Sequence, residues 1–177
     1  MAKTTTEKIR SGIAKYQYLR QQLFVTDVST NLDFQRTFNG FFRMGRRTQA
    51  YYNDYYSYLQ QHKKVGISFA DALTYLYQKH GRLEMSFVSK MVALVDPTFP
   101  IWDSVVTKGH FRIVAPSANA KNRLQKGIEK YEQYRYCYNT YMQSDEARNK
   151  IAEFNALFPN TDITDIKKVD FMLWQER

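Results

Sequence analysis

Thr6-Glu7-Lys8-Ile9-Arg10-Ser11-Gly12-Ile13-Ala14-Lys15-Tyr16-Gln17-Tyr18-Leu19-Arg20-Gln21-Gln22-Leu23-Phe24 is the stretch on which the fold class turns. Ile9, Ile13, Tyr16, Leu19, Leu23 and Phe24 recur at helical spacing, while Lys8, Arg10, Lys15 and Arg20 fall mostly on other faces. A period near 3.6 marks an amphipathic helix that buries one stripe. The same grammar continues downstream. Val25 to Thr30 is a connector, and Asn31 or Asp33 caps a short helix bearing Leu32, Phe34, Phe38, Phe41 and Phe42. Gly45, with Arg46 and Arg47, is expected to end it, where cations meet the negative end of the helix dipole.

Thr48 to Lys64 predicts a third helix crowded with Tyr51, Tyr52, Tyr55, Tyr56 and Tyr58, closed by Gly66. Ser68-Phe69-Ala70-Asp71 resembles a capping box and opens a helix through Leu73, Leu76 and Tyr77 to Gly81. Met85 to Val95 follows, stopped by Asp96-Pro97. Asp103 stands where it caps a helix beginning at Ser104, and Phe111 to Val114 is either extended or loop. Ser117 is expected to open the longest helix, through Leu124, Ile128, Tyr131, Tyr134, Tyr138 and Tyr141. Ser144-Asp145-Glu146 caps the next, to about Phe158, and Asp162 or Thr164 caps a last one holding Ile166, Val169, Phe171, Leu173 and Trp174. The expectation is an all-α, multihelical single domain over residues 1–177, with little or no strand.

Composition narrows the function classes. The 14 Tyr and 12 Phe carry large rings that supply core area, and only seven Gly and four Pro interrupt the helical pattern. The single Cys137 forms no internal disulfide, which fits a reducing compartment. Met1-Ala2-Lys3-Thr4-Thr5-Thr6-Glu7 holds no apolar signal core, and no run approaches the roughly 18 apolar residues of a membrane span. A cytoplasmic location with no membrane is expected. The net charge is +9, and residues 143–177 hold five basic against seven acidic side chains, so the positive excess lies in residues 1–142. Such a body attracts phosphate or another anionic surface, or simply keeps the chain soluble.

His62, His80 and His110 lie far apart, and no His or Cys spacing suits a metal; nor is there a Gly-rich phosphate loop or a nucleophile elbow. No metal or cofactor is expected. Cys137 lies among tyrosines and reads as an inert thiol. Tyr131, Tyr134, Tyr138 and Tyr141 share a helix face, and core packing is favoured over stacking on bases. Two groups of cations are candidate phosphate contacts: Arg43, Arg46 and Arg47, and Lys121, Arg123, Lys126 and Lys130 on the face beside the tyrosines. Either group also reads as a solvated surface.

Ser86-Phe87-Val88-Ser89-Lys90-Met91-Val92-Ala93-Leu94-Val95-Asp96-Pro97-Thr98-Phe99-Pro100-Ile101-Trp102-Asp103-Ser104-Val105-Val106 is the most distinctive segment. It sets one lysine in an apolar helix, then a Pro-flanked turn, then an aspartate at a helix start. A buried lysine loses its proton more readily and becomes a nucleophile, whereas a lysine that snorkels and an aspartate that only caps are the plain alternatives.

This segment, with Lys90 and Pro100-Ile101-Trp102-Asp103-Ser104-Val105-Val106, resembles the catalytic stretch of the helix-hairpin-helix DNA glycosylases. Lys167-Lys168-Val169-Asp170-Phe171-Met172-Leu173-Trp174 is similar to the last helix of small bacterial proteins akin to them. The resemblance implies an α-helical fold that grips DNA, Asp103 as the carboxylate supporting N-glycosidic cleavage, and Lys90 as a Schiff-base amine. Ahead of the lysine, His80-Gly81-Arg82-Leu83 offers one glycine where that family has a Gly-rich hairpin. Two readings stand: a DNA-interacting protein of glycosylase-like ancestry, active in base excision or descended from such an enzyme, and a non-enzymatic helical interaction protein that forms a homodimer.

Overall fold

Thr4 sets the start of the first helix. Its hydroxyl accepts from the Glu7 backbone N–H while the Glu7 carboxylate accepts from the Thr4 N–H at 2.8 Å, a closed capping box that begins α1 (Thr5–Val25). In the computed structural model, which describes residues 4–174, side-chain caps also begin α2 (Leu32–Phe41, Asn31), α3 (Gln49–His62, Thr48) and α4 (Phe69–His80, Ser68). Gly81, at φ 65°, closes α4 in the left-handed conformation. Then come α5 (Met85–Val95), a π-helical turn (Val106–His110), α6 (Arg123–Tyr141), α7 (Asp145–Leu157, capped by Ser144) and α8 (Asp165–Leu173, capped by Thr164). No strand occurs among the described residues, so the fold is all-α. The reading of Met1, Ala2 and Lys3 lies outside them.

The apolar stripes meet in one continuous core. α1 packs on α2 and α5, α4 on α3, α5 and α6, and α7 on α8. Leu19, Leu23, Phe34, Phe38, Tyr55, Tyr56, Leu59 and Phe154 are completely buried. Tyr131, Tyr134 and Tyr138 of α6 are also completely buried, so this stripe is core rather than a stacking surface. Burial pushes these three phenols well above their ordinary pKa, which keeps them as hydrogen-bond donors at neutral pH. One buried ion pair crosses a turn of α8: Lys167 donates to Asp170, which also accepts from Tyr138 at 2.8 Å. Burial raises the Asp170 carboxyl against the pull of Lys167.

Three expected boundaries are corrected. α2 ends at Phe41, before Gly45, because Arg43 and Arg46 adopt left-handed conformations (φ 53° and 61°) that carry the chain away. α3 stops at His62 rather than Lys64. α6 begins at Arg123, not Ser117; residues 117–122 form turns, and Asn122 enters the helix from φ 52° without a side-chain cap. Lys121 therefore precedes the helix whose face it was expected to share. Phe111 to Val114 is loop, with Arg112 at φ 55°. Among the described residues no helix is long and apolar enough to cross a membrane.

Candidate functional site

Lys90 and Asp103 are positioned by a small set of buried hydrogen bonds. Ser89, fully buried on α5, accepts from the Trp102 backbone N–H at 2.9 Å and donates to the Ser86 carbonyl at 3.0 Å. It thereby ties the lysine's helix to the residue before the aspartate. From α6, Tyr131 and Tyr134 donate to the carbonyls of Pro100 (2.9 Å) and Ile101 (3.1 Å), fixing the same turn from behind. Arg20 of α1 donates to the Leu94 and Val95 carbonyls at the end of α5, where a cation offsets the unpaired acceptors. Asp103 accepts from the Val105 N–H at 2.9 Å, and its carbonyl accepts from Thr107 at 2.8 Å. The aspartate does cap the helical turn that runs on into the π-helix.

In front of these groups lies a cleft of about 790 Å³, within the roughly 300–1,000 Å³ typical of ligand pockets. Lys90 and Asp103 both line it. The lysine is largely buried, and its ammonium sits 5.1 Å over the ring of Phe87; the aspartate is half-buried. Phe41, Phe171 and Trp174 give the cleft an aromatic wall, their centroids 5.9–6.1 Å apart. That wall depends on Gly12. A Cβ there would stand 2.9 Å from a Phe171 ring carbon, so a larger residue would hold the ring off α1. Lys8, Lys15 and Arg43 complete the lining, all three exposed. With Lys90, the cleft thus gathers four cations against one carboxylate, Asp103, among the described residues.

The other sequence-level candidates lie elsewhere. Arg46 is exposed and does not line the cleft. Arg47 forks onto Glu84 (2.8 and 3.0 Å) and lies 4.7 Å over Phe87, with Arg82 on the same carboxylate. Lys126 and Lys130 border a separate groove against residues 114–120, Arg123 starts α6, and Lys121 is exposed ahead of it. His62 closes α3, stacked on Tyr58; His80 closes α4, bonded to Asp54 at 3.0 Å; and His110 ends the π-helix. Among the described residues no group of His, Cys, Asp and Glu is arranged to hold a metal ion.

Sequence reasoning missed Lys8, Lys15 and the rings of Phe171 and Trp174 as cleft residues. A signal for the lysines was present: Lys8, Ser11, Gly12 and Lys15 fall at i, i+3, i+4 and i+7, a polar and small-residue stripe along α1. No known protein-family model, curated protein or solved structure matches this chain.

Proposed function

We propose that the cleft is a DNA-binding site of glycosylase-like ancestry, at which Asp103 and Lys90 act on the sugar of a nucleotide turned out of the duplex. The observation that carries this reading is the convergence on one cleft of a largely buried amine, a half-buried carboxylate, an aromatic wall and a cationic rim. Each part has a use in such chemistry. Extruded bases are held by stacking on rings, and phosphates by Lys and Arg. A carboxylate near the sugar stabilises the positive charge that develops as the glycosidic bond breaks. In the covalent version the Lys90 ammonium first gives up a proton to solvent, its amine then bonds to C1′, and the electron pair of the C1′–N bond leaves with the base. One amine proton passes to that base; the C1′–O4′ bond then breaks, its electron pair and the second amine proton go to O4′, and an imine between Lys90 and C1′ remains. The homodimer reading lacks a comparable convergence, since Tyr55, Tyr56, Tyr131, Tyr134 and Tyr138 are spent on the interior.

Borohydride trapping tests it: reduction of the imine to an amine would fix the chain covalently to a duplex containing an abasic site. The expected result is an adduct with the wild-type chain that is lost in Lys90→Gln. An adduct undiminished in Lys90→Gln, or none from the wild-type chain, would contradict the covalent chemistry.

A further inference from the structure

We infer that Lys8, Lys15 and Arg43 form a phosphate track that leads a nucleic-acid backbone along the crevice between α1 and α2 into the cleft; this rests on reading the cleft as a DNA site. The first observation is where the charges are spent. Arg47 and Arg82 are consumed by Glu84, Lys79 by Asp54, Lys167 by Asp170, Lys168 by Asp165, and Arg148 by Asp145. Lys8, Lys15 and Arg43 form no ion pair among the described residues, and all three are exposed on the lining of one concavity. Unpaired like charges converging on a concave surface raise the local concentration of an anion.

The second observation is continuity. A furrow between α1 and α2 shares Ser11, Lys15 and Gly40 with the cleft and runs on past Arg36. Gly40 lies exposed along it, and a Cβ there would meet nothing within 4 Å, so the space above it is open. Lys8 and Lys15 stand two turns apart on α1, about 10 Å at 1.5 Å per residue. That is on the order of three nucleotide steps at 3.4 Å of rise per strand charge.

The third observation is preorganisation. Arg43 adopts φ 53° in a loop held by a Met44-to-Asn39 backbone bond of 2.8 Å and by the Arg47–Glu84 fork. Holding the loop beforehand reduces the ordering cost when a ligand binds.

The test is fluorescence anisotropy across a salt series, with a duplex containing an abasic-site analogue. The chains compared are the wild type, the triple variant Lys8→Gln/Lys15→Gln/Arg43→Gln, the single Lys15→Gln, and the control Lys126→Gln/Lys130→Gln. Each phosphate contact contributes about 0.9 to the slope of log K against log salt. The triple variant is expected to lose roughly 2–3 units of slope, on the order of 10²-fold or more in affinity at 0.1 M salt, and Lys15→Gln about one unit. Thermal melts of the variants should match the wild type, because the replaced side chains are exposed. A steep wild-type slope that the triple variant retains would overturn the track while leaving the cleft as the DNA site. No binding by the wild type at low salt would remove the cleft reading and the track together.

Discussion

The cleft rim and the outer face of α6 are both rich in lysine and arginine, yet their charges go to different places. On α6, Lys130 donates to Gln133 at 2.9 Å, Arg135 pairs with Glu132 at 3.2 Å, and Glu129 borders the same groove as Lys126 and Lys130. On the rim, Lys8, Lys15 and Arg43 come from two separate segments, have no carboxylate partner among the described residues, and face one concavity with Lys90 and Asp103. Linear charge density ranks α6 first. The balance of charge in each concavity ranks the rim first, four cations to one carboxylate among the described residues against Lys126 and Lys130 beside Glu129, because a field is focused where like charges converge and screened where opposite charges alternate. The scaffold behind the rim makes a second contrast, since its ions are buried and paired and so hold the fold rather than a partner.

That contrast is sharpest at Asp170. Asp170→Ala would leave the Lys167 ammonium buried without its counter-ion, at a cost of about 3–5 kcal/mol. Tm should fall by roughly 6–20 °C while the folded protein keeps its salt slope for DNA. An unchanged Tm would mean that this pair is not what holds α8 in place. Ser89→Ala is expected to be milder. It strands the buried Trp102 N–H, costs about 1–3 kcal/mol, and loosens the turn that carries Asp103. Discrimination between abasic and intact duplex should therefore decline, with the rim's salt slope preserved; a loss of slope instead would blur the line between scaffold and rim.

The smallest effect is a pH dependence. Partial burial raises the Asp54 carboxyl, but Lys79 and His80 outweigh it and hold the group below its ordinary value. A carboxyl with a depressed folded-state pKa contributes stability above its unfolded value of 3.8, and that stability is lost as pH falls through the lower folded value. Asp54→Asn should lower Tm slightly near neutrality and flatten the acid side of a plot of Tm against pH, so that its curve converges on the wild type's below about 4. A parallel shift of the whole curve would show that the group acts through packing instead.

Much of the fold was legible because it is written locally. Asn31, Thr48, Ser68, Ser144 and Thr164 each cap the helix that follows, and Met85 and Val95 bound α5 as the apolar run implies. The start of α6 was misread because Ser117 has the right side chain for a cap, whereas the chain enters the helix at Asn122 through a left-handed residue that no periodicity announces. The site was legible only in part. Lys90 and Asp103 sit in one distinctive segment, and one turn suffices to bring them to the same cleft. The rim and wall join α1, the loop after α2, and α8, a meeting produced by helix packing that no local pattern encodes. Arg47 shows the converse, for a cation in a basic run is spent on a carboxylate far along the chain.

The most direct test is the wild-type chain's affinity for an intact duplex against the same duplex carrying an abasic-site analogue, measured at one salt concentration. A cleft that receives a nucleotide turned out of the stack saves unstacking energy on the abasic duplex. Preference for that duplex by roughly tenfold or more is expected, since unstacking costs a few kcal/mol. Equal affinity for the two would contradict the assignment of Lys90 and Asp103 to a flipped nucleotide, and would leave the cationic cleft as a general anion site.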